Sequence, residues 1–136
     1  MGDSVRVGMA VNGGLMRGCK ANARMVEVHA VFEREARTAP EYRMWSIRDE
    51  YPAMQRIVDG TPGGAALAVE VWSVTPEALV RIFEGEPPEL SLGWVYLEDG
   101  SRVLGVIAEA AVTAGEKEIT SYGGWRAYAD EERIQV

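Results

Sequence analysis

The chain has 136 residues, of which 47% are hydrophobic and 26% are charged, and its formal net charge is −7. This length and composition predict one globular domain over residues 1–136 with a core of its own. The negative charge argues against nucleic-acid binding, which draws its affinity from lysine and arginine on phosphate.

The chain has too few cysteine and histidine residues for an internal disulfide or a zinc site. The chain has a single cysteine, Cys19, and a single histidine, His29, so it forms no internal disulfide and falls short of a zinc site. We expect Cys19 to be a reduced thiol rather than a nucleophile, and His29 to be a packed residue rather than a catalyst. The N-terminal residues lack the pattern expected of a signal peptide, and no apolar run approaches the roughly 20 residues needed to span a bilayer. We therefore expect a cytoplasmic protein without a metal, cofactor or membrane partner.

The first predicted element is a strand over Val5 to Val11, in which apolar side chains alternate, and we expect it to be central in its sheet. It runs into the loop Asn12-Gly13-Gly14-Leu15-Met16. The glycines are expected to allow positive φ and to leave backbone amides open to a ligand, which predicts a binding loop. A simple turn is the alternative, since two glycines after an asparagine are common in hairpins.

The next segment, Asn22 to Val28, is irregular or helical by its pattern. Strands are predicted over Phe32 to Ala36 and Tyr42 to Ile47, on either side of a break at Pro40. Arg37 and Arg43 flank this break as surface charges or as contacts to a carboxylate ligand. The segment from Asp49 to Gly64 is predicted to be a connection that ends in a flexible turn over Asp59 to Gly64.

A strand and a helix form the best-defined unit. Ala66 to Val74 predicts a central strand with both faces covered, and its sole charge, Glu70, is expected to be paired by arginine or to face solvent at an edge, rather than to belong to a site. A helix is expected to begin at Thr75 and Pro76, because threonine caps the free amides of the first turn and proline suits the first helical position.

The end of that helix carries a candidate catalytic acid. Leu79, Ile82 and Phe83 recur at the spacing of a buried helix face, and Glu86 returns to nearly the same side. Gly85 and the following prolines end the helix, which puts the Glu86 carboxylate at an edge where it would line a cleft. The alternative is a solvated surface charge, as most glutamates in acidic turns are.

After the helix, strands over Leu92 to Leu97 and Val103 to Ala108 are predicted to form a hairpin through Glu98-Asp99-Gly100-Ser101. Ala110 to Ala114 is expected to extend the second strand, and the acidic tail after Tyr128 is expected to fray. Short strands, one definite helix and no βαβ rhythm predict an α+β fold. We expect a small mixed, mainly antiparallel β-barrel with a few short helices.

Several motifs together resemble a known family. They are Asn12-Gly13-Gly14-Leu15-Met16-Arg17-Gly18, Glu35-Ala36-Arg37-Thr38-Ala39-Pro40, Val69-Glu70-Val71-Trp72, Glu86-Pro87-Pro88 and Gly123-Gly124-Trp125-Arg126-Ala127-Tyr128. In this order they resemble stand-alone relatives of the allophanate hydrolase C-terminal domain, in the γ-glutamylcyclotransferase-like superfamily. The similarity covers nearly the whole chain, and the closing string is its most specific part. The resemblance implies a small mixed β-barrel with helices.

The resemblance also implies a site. Cyclotransferases of the superfamily hold substrate on the amides of a Tyr-Gly-Ser/Thr-Leu loop, where this chain has Asn12 to Leu15. They carry a glutamate base after a helix, and Glu86 falls on that spacing, with Phe83 at the usual aspartate. Allophanate hydrolase C-terminal domains use a first-loop histidine to decarboxylate N-carboxycarbamate, and here Gly14 occupies about that position.

Two functions follow as hypotheses. The first is an enzyme acting on a small carboxylate-bearing amide or ureido compound, with Glu86 as general base and the amides of Asn12 to Leu15 as oxyanion or carboxylate binders; Met16, Arg37 and Tyr42 complete the predicted substrate contacts. The second is a non-catalytic module that binds a small carboxylate or a protein. Under either hypothesis, the chain could form a homodimer. As a base, Glu86 should be partly buried, share a pocket with the loop and have few or no cationic partners.

Overall fold

The computed structural model describes residues 5–57 and 61–136. The turn predicted over Asp59 to Gly64 therefore begins outside the described residues. The strands and helices are β1 (Val7–Val11), α1 (Asn22–Glu27), β2 (Val31–Arg37), β3 (Tyr42–Ile47), β4 (Tyr51–Arg56), β5 (Ala68–Val74), α2 (Pro76–Glu84), β6 (Leu90–Tyr96), β7 (Arg102–Ala108), β8 (Lys117–Glu118) and α3 (Trp125–Glu132).

The strands form two sheets. The larger has the order β2-β5-β1-β7-β6, in which β1 and β7 are parallel and the other neighbours are antiparallel. The smaller has the order β4-β3-β8 and is antiparallel. This confirms a mainly antiparallel α+β fold with few helices. In the described part of the chain neither strand order returns to its start, so closure into a barrel stays a prediction.

The centre of the larger sheet is buried on both faces. β1 is the middle strand, as predicted, and three successive residues at its end, Met9, Ala10 and Val11, are buried. Gly105 allows the parallel strand to approach, because a Cβ there would lie 2.8 Å from the Ala10 carbonyl oxygen. β5 lies between β2 and β1 and is buried from Val69 to Trp72, which confirms the predicted covered strand.

Helix α2 is the predicted helix. Thr75 has extended backbone, and its hydroxyl accepts a hydrogen bond from the Ala78 amide at 3.1 Å, while Pro76 occupies the first helical position. Leu79 and Ile82 are buried against the core. The helix therefore delivers Gly85 and the residue after it to a fixed place at the edge of the core.

One strand was missing from the sequence prediction. Residues Tyr51–Arg56 are strand β4 and not a connection, and they pair with β3 from Tyr42↔Arg56 to Ile47↔Tyr51. The proline in this segment does not break the strand, since β4 is at the edge of its sheet, where a missing amide costs no ladder bond.

Two predictions for the C-terminal part were wrong. Residues Ala110–Thr113 form a 3₁₀ helix and do not extend the preceding strand. The tail after Tyr128 is held in place: α3 continues to Glu132, the Ile134 amide donates to the Ala129 carbonyl at 2.8 Å, and the Val136 carbonyl accepts from the Lys20 amide at 2.7 Å. Within residues 5–57 and 61–136, no helix is long and apolar enough to cross a membrane.

Candidate functional site

A cavity of about 330 Å³ lies between the first loop and the C-terminal end of α2. We call it the loop cavity. Its wall includes Asn12, Gly13, Gly14 and Leu15 from the loop, Arg24 from α1, Tyr51 and Pro52 from β4, and Glu86 after α2. The structure therefore brings together two regions that the sequence predicted to form one site. Their roles in binding and catalysis stay predictions.

Gly13 is required by close packing and not by its backbone angles. A Cβ built on Gly13 would lie 2.6 Å from Pro52 Cδ and 2.7 Å from Pro52 Cγ, so no side chain fits. Among the described glycines, positive φ occurs in this loop region at Gly18, with φ 81°, and not at Gly13 or Gly14. The expectation of positive φ at these two glycines is corrected: the absence of a side chain lets the loop lie on the β4 proline.

In the described part of the chain, the carbonyl groups of the loop accept hydrogen bonds from other protein groups, whereas three of its backbone amides make no hydrogen bond to the protein. Gly13 O accepts from the Met16 amide at 3.0 Å, Gly14 O accepts from the Ala21 amide at 3.0 Å, and Leu15 O accepts from Asn22 Nδ2 at 2.8 Å. Among the described residues, the amides of Gly13, Gly14 and Leu15 donate to no protein acceptor. These N–H groups are therefore the donors that the loop can offer to a ligand.

Asn12 fixes the start of the loop. Its side chain is buried, and Nδ2 donates to the Val106 carbonyl at 3.0 Å on β7 and contacts Met54 Sδ at 3.8 Å on β4. These contacts tie the loop to both sheets, so the amides that follow Asn12 are held by a rigid base. Such preorganisation is what an oxyanion or carboxylate site needs.

The Glu86 carboxylate is 11% exposed and has a cationic partner. Arg24 Nη1 donates to Glu86 Oε2 at 2.6 Å, and Arg24 Nη2 donates to the Ile82 carbonyl at the end of α2. The expected partial burial is found. The expectation of few or no cationic partners is wrong, because α1 places Arg24 beside the helix end, where a guanidinium satisfies both a free carbonyl and the carboxylate.

Gly85 makes room for this arginine. A Cβ on Gly85 would lie 2.5 Å from Arg24 Nη2 and 3.0 Å from Arg24 Cζ, while φ at Gly85 is −95°, which any residue adopts. Sequence reasoning missed Arg24 as a site residue. It is separated from Glu86 by 62 positions, and no local pattern distinguishes it from a solvated arginine of a short helix.

Tyr51 adds a neutral hydroxyl to the wall of the loop cavity. Burial raises the pKa of the Tyr51 phenol, as does its hydrogen bond to the Glu89 carboxylate, which accepts at 3.1 Å. The phenol is therefore protonated near neutral pH. It too was missed, because its segment was predicted to be a connection.

The other predicted substrate contacts lie elsewhere. Met16 is buried and lies with Arg37 on a second cavity of about 380 Å³, where Arg37 Nη2 also donates to the Ala66 carbonyl at 2.8 Å. Tyr42 is fully buried, and its hydroxyl accepts from the Tyr96 amide at 2.9 Å. Its assignment to substrate is corrected: a phenol that holds a neighbouring strand from inside the core is a packing residue.

The second cavity contains the buried charge Glu70. Its carboxylate accepts from the Arg17 amide at 3.0 Å, Arg17 Nε at 3.1 Å, Trp72 Nε1 at 3.2 Å and Arg126 Nη2 at 3.3 Å. Burial alone would raise the pKa of Glu70, but these hydrogen bonds outweigh it and hold the pKa below its ordinary value. This confirms the predicted pairing with arginine.

Cys19 lies in the same neighbourhood and is buried as a free thiol. Burial raises the pKa of Cys19, and nearby Arg126 only partly opposes this. A thiol that resists ionisation is a poor nucleophile, which agrees with its predicted role as an unreactive residue.

Comparisons with known proteins agree with this geometry. The model of the allophanate hydrolase C-terminal domain family matches residues 7–130. A crystal structure of a uropathogenic E. coli-specific protein is 41% identical, with a TM-score of 0.88, and the match covers 93% of this chain and 97% of that chain. Allophanate hydrolase of Kluyveromyces lactis is 25% identical with a TM-score of 0.87, covering 94% of this chain and 22% of that chain.

A curated relative matches over the same region. Urea amidolyase of Saccharomyces cerevisiae is 28% identical over 131 residues, which is 92% of this chain. The chain spans only 7% of the length of the curated relatives it matches. The family resemblance inferred from the sequence motifs is confirmed, and the chain belongs to the allophanate hydrolase C-terminal domain family.

Proposed function

We propose that this chain is an enzyme that acts on a small amide or ureido compound bearing a carboxylate, with Glu86 as the general base. The observation that carries the proposal is that the Glu86 carboxylate and the unpaired amides of the first loop line the same cavity. A volume of about 330 Å³ suits a small metabolite. The relatives' names, allophanate hydrolase and urea amidolyase, support a substrate with an amide-like or urea-like carbonyl.

For an amide substrate that carries a free amine, such as a γ-glutamyl dipeptide, the proposed reaction follows the cyclotransferase pattern. The substrate's own amine attacks its side-chain carbonyl carbon, and Glu86 takes the proton that the attacking nitrogen loses. The amides near Gly13 and Leu15 donate to the oxyanion that forms on the carbonyl oxygen. Collapse of this intermediate breaks the amide C–N bond, and Glu86 returns the proton to the departing nitrogen. The products are a lactam and a free amine, and no covalent enzyme intermediate forms.

Product analysis tests this function. Wild type is incubated with γ-glutamyl dipeptides and, separately, with allophanate, and the products are compared with those of Glu86→Gln. Removing a general base should lower turnover by about 10² to 10⁴. Glu41→Gln is the matched control, because Glu41 also pairs with an arginine, Arg56, at 3.1 Å but does not line the loop cavity. Equal turnover in wild type and Glu86→Gln would contradict the proposal.

A non-catalytic carboxylate-binding module is the second candidate. It is favoured by the ion pair between Arg24 and Glu86, since this contact occupies a carboxylate oxygen that a general base would need for the substrate. It is also favoured by the loop sequence, which has Asn12 and Gly14 where relatives of the superfamily carry tyrosine and a hydroxyl. Saturable carboxylate binding without any product from either substrate class would support this candidate.

A further inference from the structure

We propose that Arg24 recognises the carboxylate of the ligand, and that the ligand competes with Glu86 for the Arg24 guanidinium. The inference deepens the proposed function and rests on it in one respect, namely that the ligand carries a carboxylate. It names a residue that selects acids over neutral amides, and it explains how a general base can be held in an ion pair before the ligand arrives.

The charges around the cavity point to Arg24. Among the described residues that line it, Arg24 is the only cation, while Glu50 and Glu86 are acids. Next to the cavity, Glu50 is paired with Arg48 at 3.0 Å and Glu89 accepts from the Tyr51 phenol, while Arg48 itself does not line the cavity. Among the described lining residues, a ligand carboxylate therefore has its positive partner in Arg24, together with the loop amides.

Arg24 has donors left for such a ligand. A guanidinium carries five N–H donors, and the bonds found for Arg24 are those to Glu86 and to Ile82. The Arg24 side chain is 31% exposed and lines the loop cavity. Bidentate recognition of carboxylate is the geometry that a guanidinium favours.

The position of the Arg24 guanidinium is fixed while its Nη1 exchanges Glu86 for the ligand carboxylate. Arg24 Nη2 is anchored to the Ile82 carbonyl, and the guanidinium lies against Gly85, where a Cβ would come within 2.5 Å of it. Arg24 therefore stays at the cavity while Nη1 changes partner. A ligand carboxylate that takes this partner releases the Glu86 carboxylate from its ion pair, so that the carboxylate oxygen is free to face the attacking amine of the substrate. A neutral amide leaves the pair intact.

Calorimetric titration with glutarate and with its uncharged analogue glutaramide tests the inference. Wild type should bind glutarate at millimolar concentration and bind glutaramide at least about tenfold more weakly. Arg24→Gln should lose at least about tenfold in glutarate affinity, the equivalent of one charge-assisted hydrogen bond. Glu86→Gln should bind glutarate more tightly than wild type by several fold, because the competing charge is gone.

The matched controls are Arg56→Gln and Glu41→Gln, which alter an ion pair of similar kind away from the cavity and should leave glutarate binding unchanged. Thermal unfolding shows whether each variant is folded. If Arg24→Gln is not folded, Arg24→Lys and Glu86→Gln still decide the matter, since lysine keeps the charge but not the bidentate geometry and should weaken binding.

Three outcomes would overturn the inference: no glutarate binding by wild type at millimolar concentration, weaker binding by Glu86→Gln than by wild type, or binding that is lost in Arg126→Gln and kept in Arg24→Gln. The last result would place the ligand in the second cavity. The expected pattern of binding without turnover would uphold Arg24 and overturn the enzymatic proposal, so the two failures are distinguishable.

Discussion

Replacing Glu70 with alanine should destabilise the protein by about 3 kcal/mol. The side chains of Arg17 and Arg126 are 44% and 42% exposed, so both regain water when the carboxylate is removed. The Arg17 amide and the Trp72 indole N–H lose their buried acceptor, and each unsatisfied donor costs roughly 1–2 kcal/mol. In a domain of this size, that loss corresponds to a fall in Tm of about 10 °C.

Thermal and urea unfolding of wild type, Glu70→Ala and Glu35→Ala measure this. Glu35 pairs with the same Arg17 at 3.0 Å, but its side chain is 74% exposed, so its removal should cost less than about 1 kcal/mol. The reasoning would be refuted by a loss below about 1 kcal/mol for Glu70→Ala, or by equal losses for the two variants.

The same carboxylate predicts a pH dependence. Because the hydrogen bonds lower the pKa of Glu70 in the folded protein despite its burial, its ionised form contributes stability above the unfolded pKa. This contribution is lost as the pH falls through the folded pKa. The difference in unfolding free energy between wild type and Glu70→Gln should therefore be constant near neutral pH and shrink in acid, which a series of urea titrations would show.

Three further predictions concern single positions. Gly13→Ala should displace the first loop from Pro52 and lower glutarate affinity and turnover together, whereas Gly18→Ala, where no atom lies within 4 Å of a Cβ, should affect stability only. Thr75→Ala should cost about 1 kcal/mol of unfolding free energy through loss of the α2 cap, measured by urea unfolding. Cys19 should react slowly with a thiol reagent in the native protein and rapidly in urea, because it is buried and its pKa is raised; equal rates would contradict this.

Elements whose bounds are determined by local side-chain chemistry could be predicted from the sequence alone. The signals at Thr75 and Pro76 predicted the start of α2, and alternating side chains predicted β3 over Tyr42–Ile47 with its observed bounds. That Glu86 and the first loop share a cavity was also predicted, from helix periodicity and a helix end for Glu86 and from a glycine loop at the end of a core strand for its partner.

The missed elements depend on tertiary contacts. The turn between β3 and β4 has positive φ at Arg48 and Asp49, without the glycine or asparagine that usually marks such a turn. Asp49 is held there by hydrogen bonds from the Ser46 hydroxyl and from the Tyr128 hydroxyl on α3. A contact between residues 79 positions apart in the sequence leaves no local pattern. In α3, by contrast, the spacing of Trp125, Tyr128 and Ala129 was available and would have predicted the helix.

In the candidate site, too, features that depend on local sequence were predicted and features that depend on tertiary contacts were missed. Gly13 was identified correctly as a loop glycine, but the reason for it is contact with Pro52, a residue of the unpredicted strand. Arg24 was overlooked since its importance lies in what α2 brings next to it, Gly85 and Glu86. Tyr42 was assigned to substrate although its place is in the core, because the pattern of a strand does not show what will cover it.

The most direct test of the central claim is a crystal structure of Glu86→Gln with bound glutarate. The account predicts one ligand in the loop cavity, with one carboxylate on the Arg24 guanidinium and an oxygen within about 3 Å of the amides of Gly13 to Leu15. A ligand held by Arg37 and Arg126 in the second cavity, with the loop cavity empty, would contradict it.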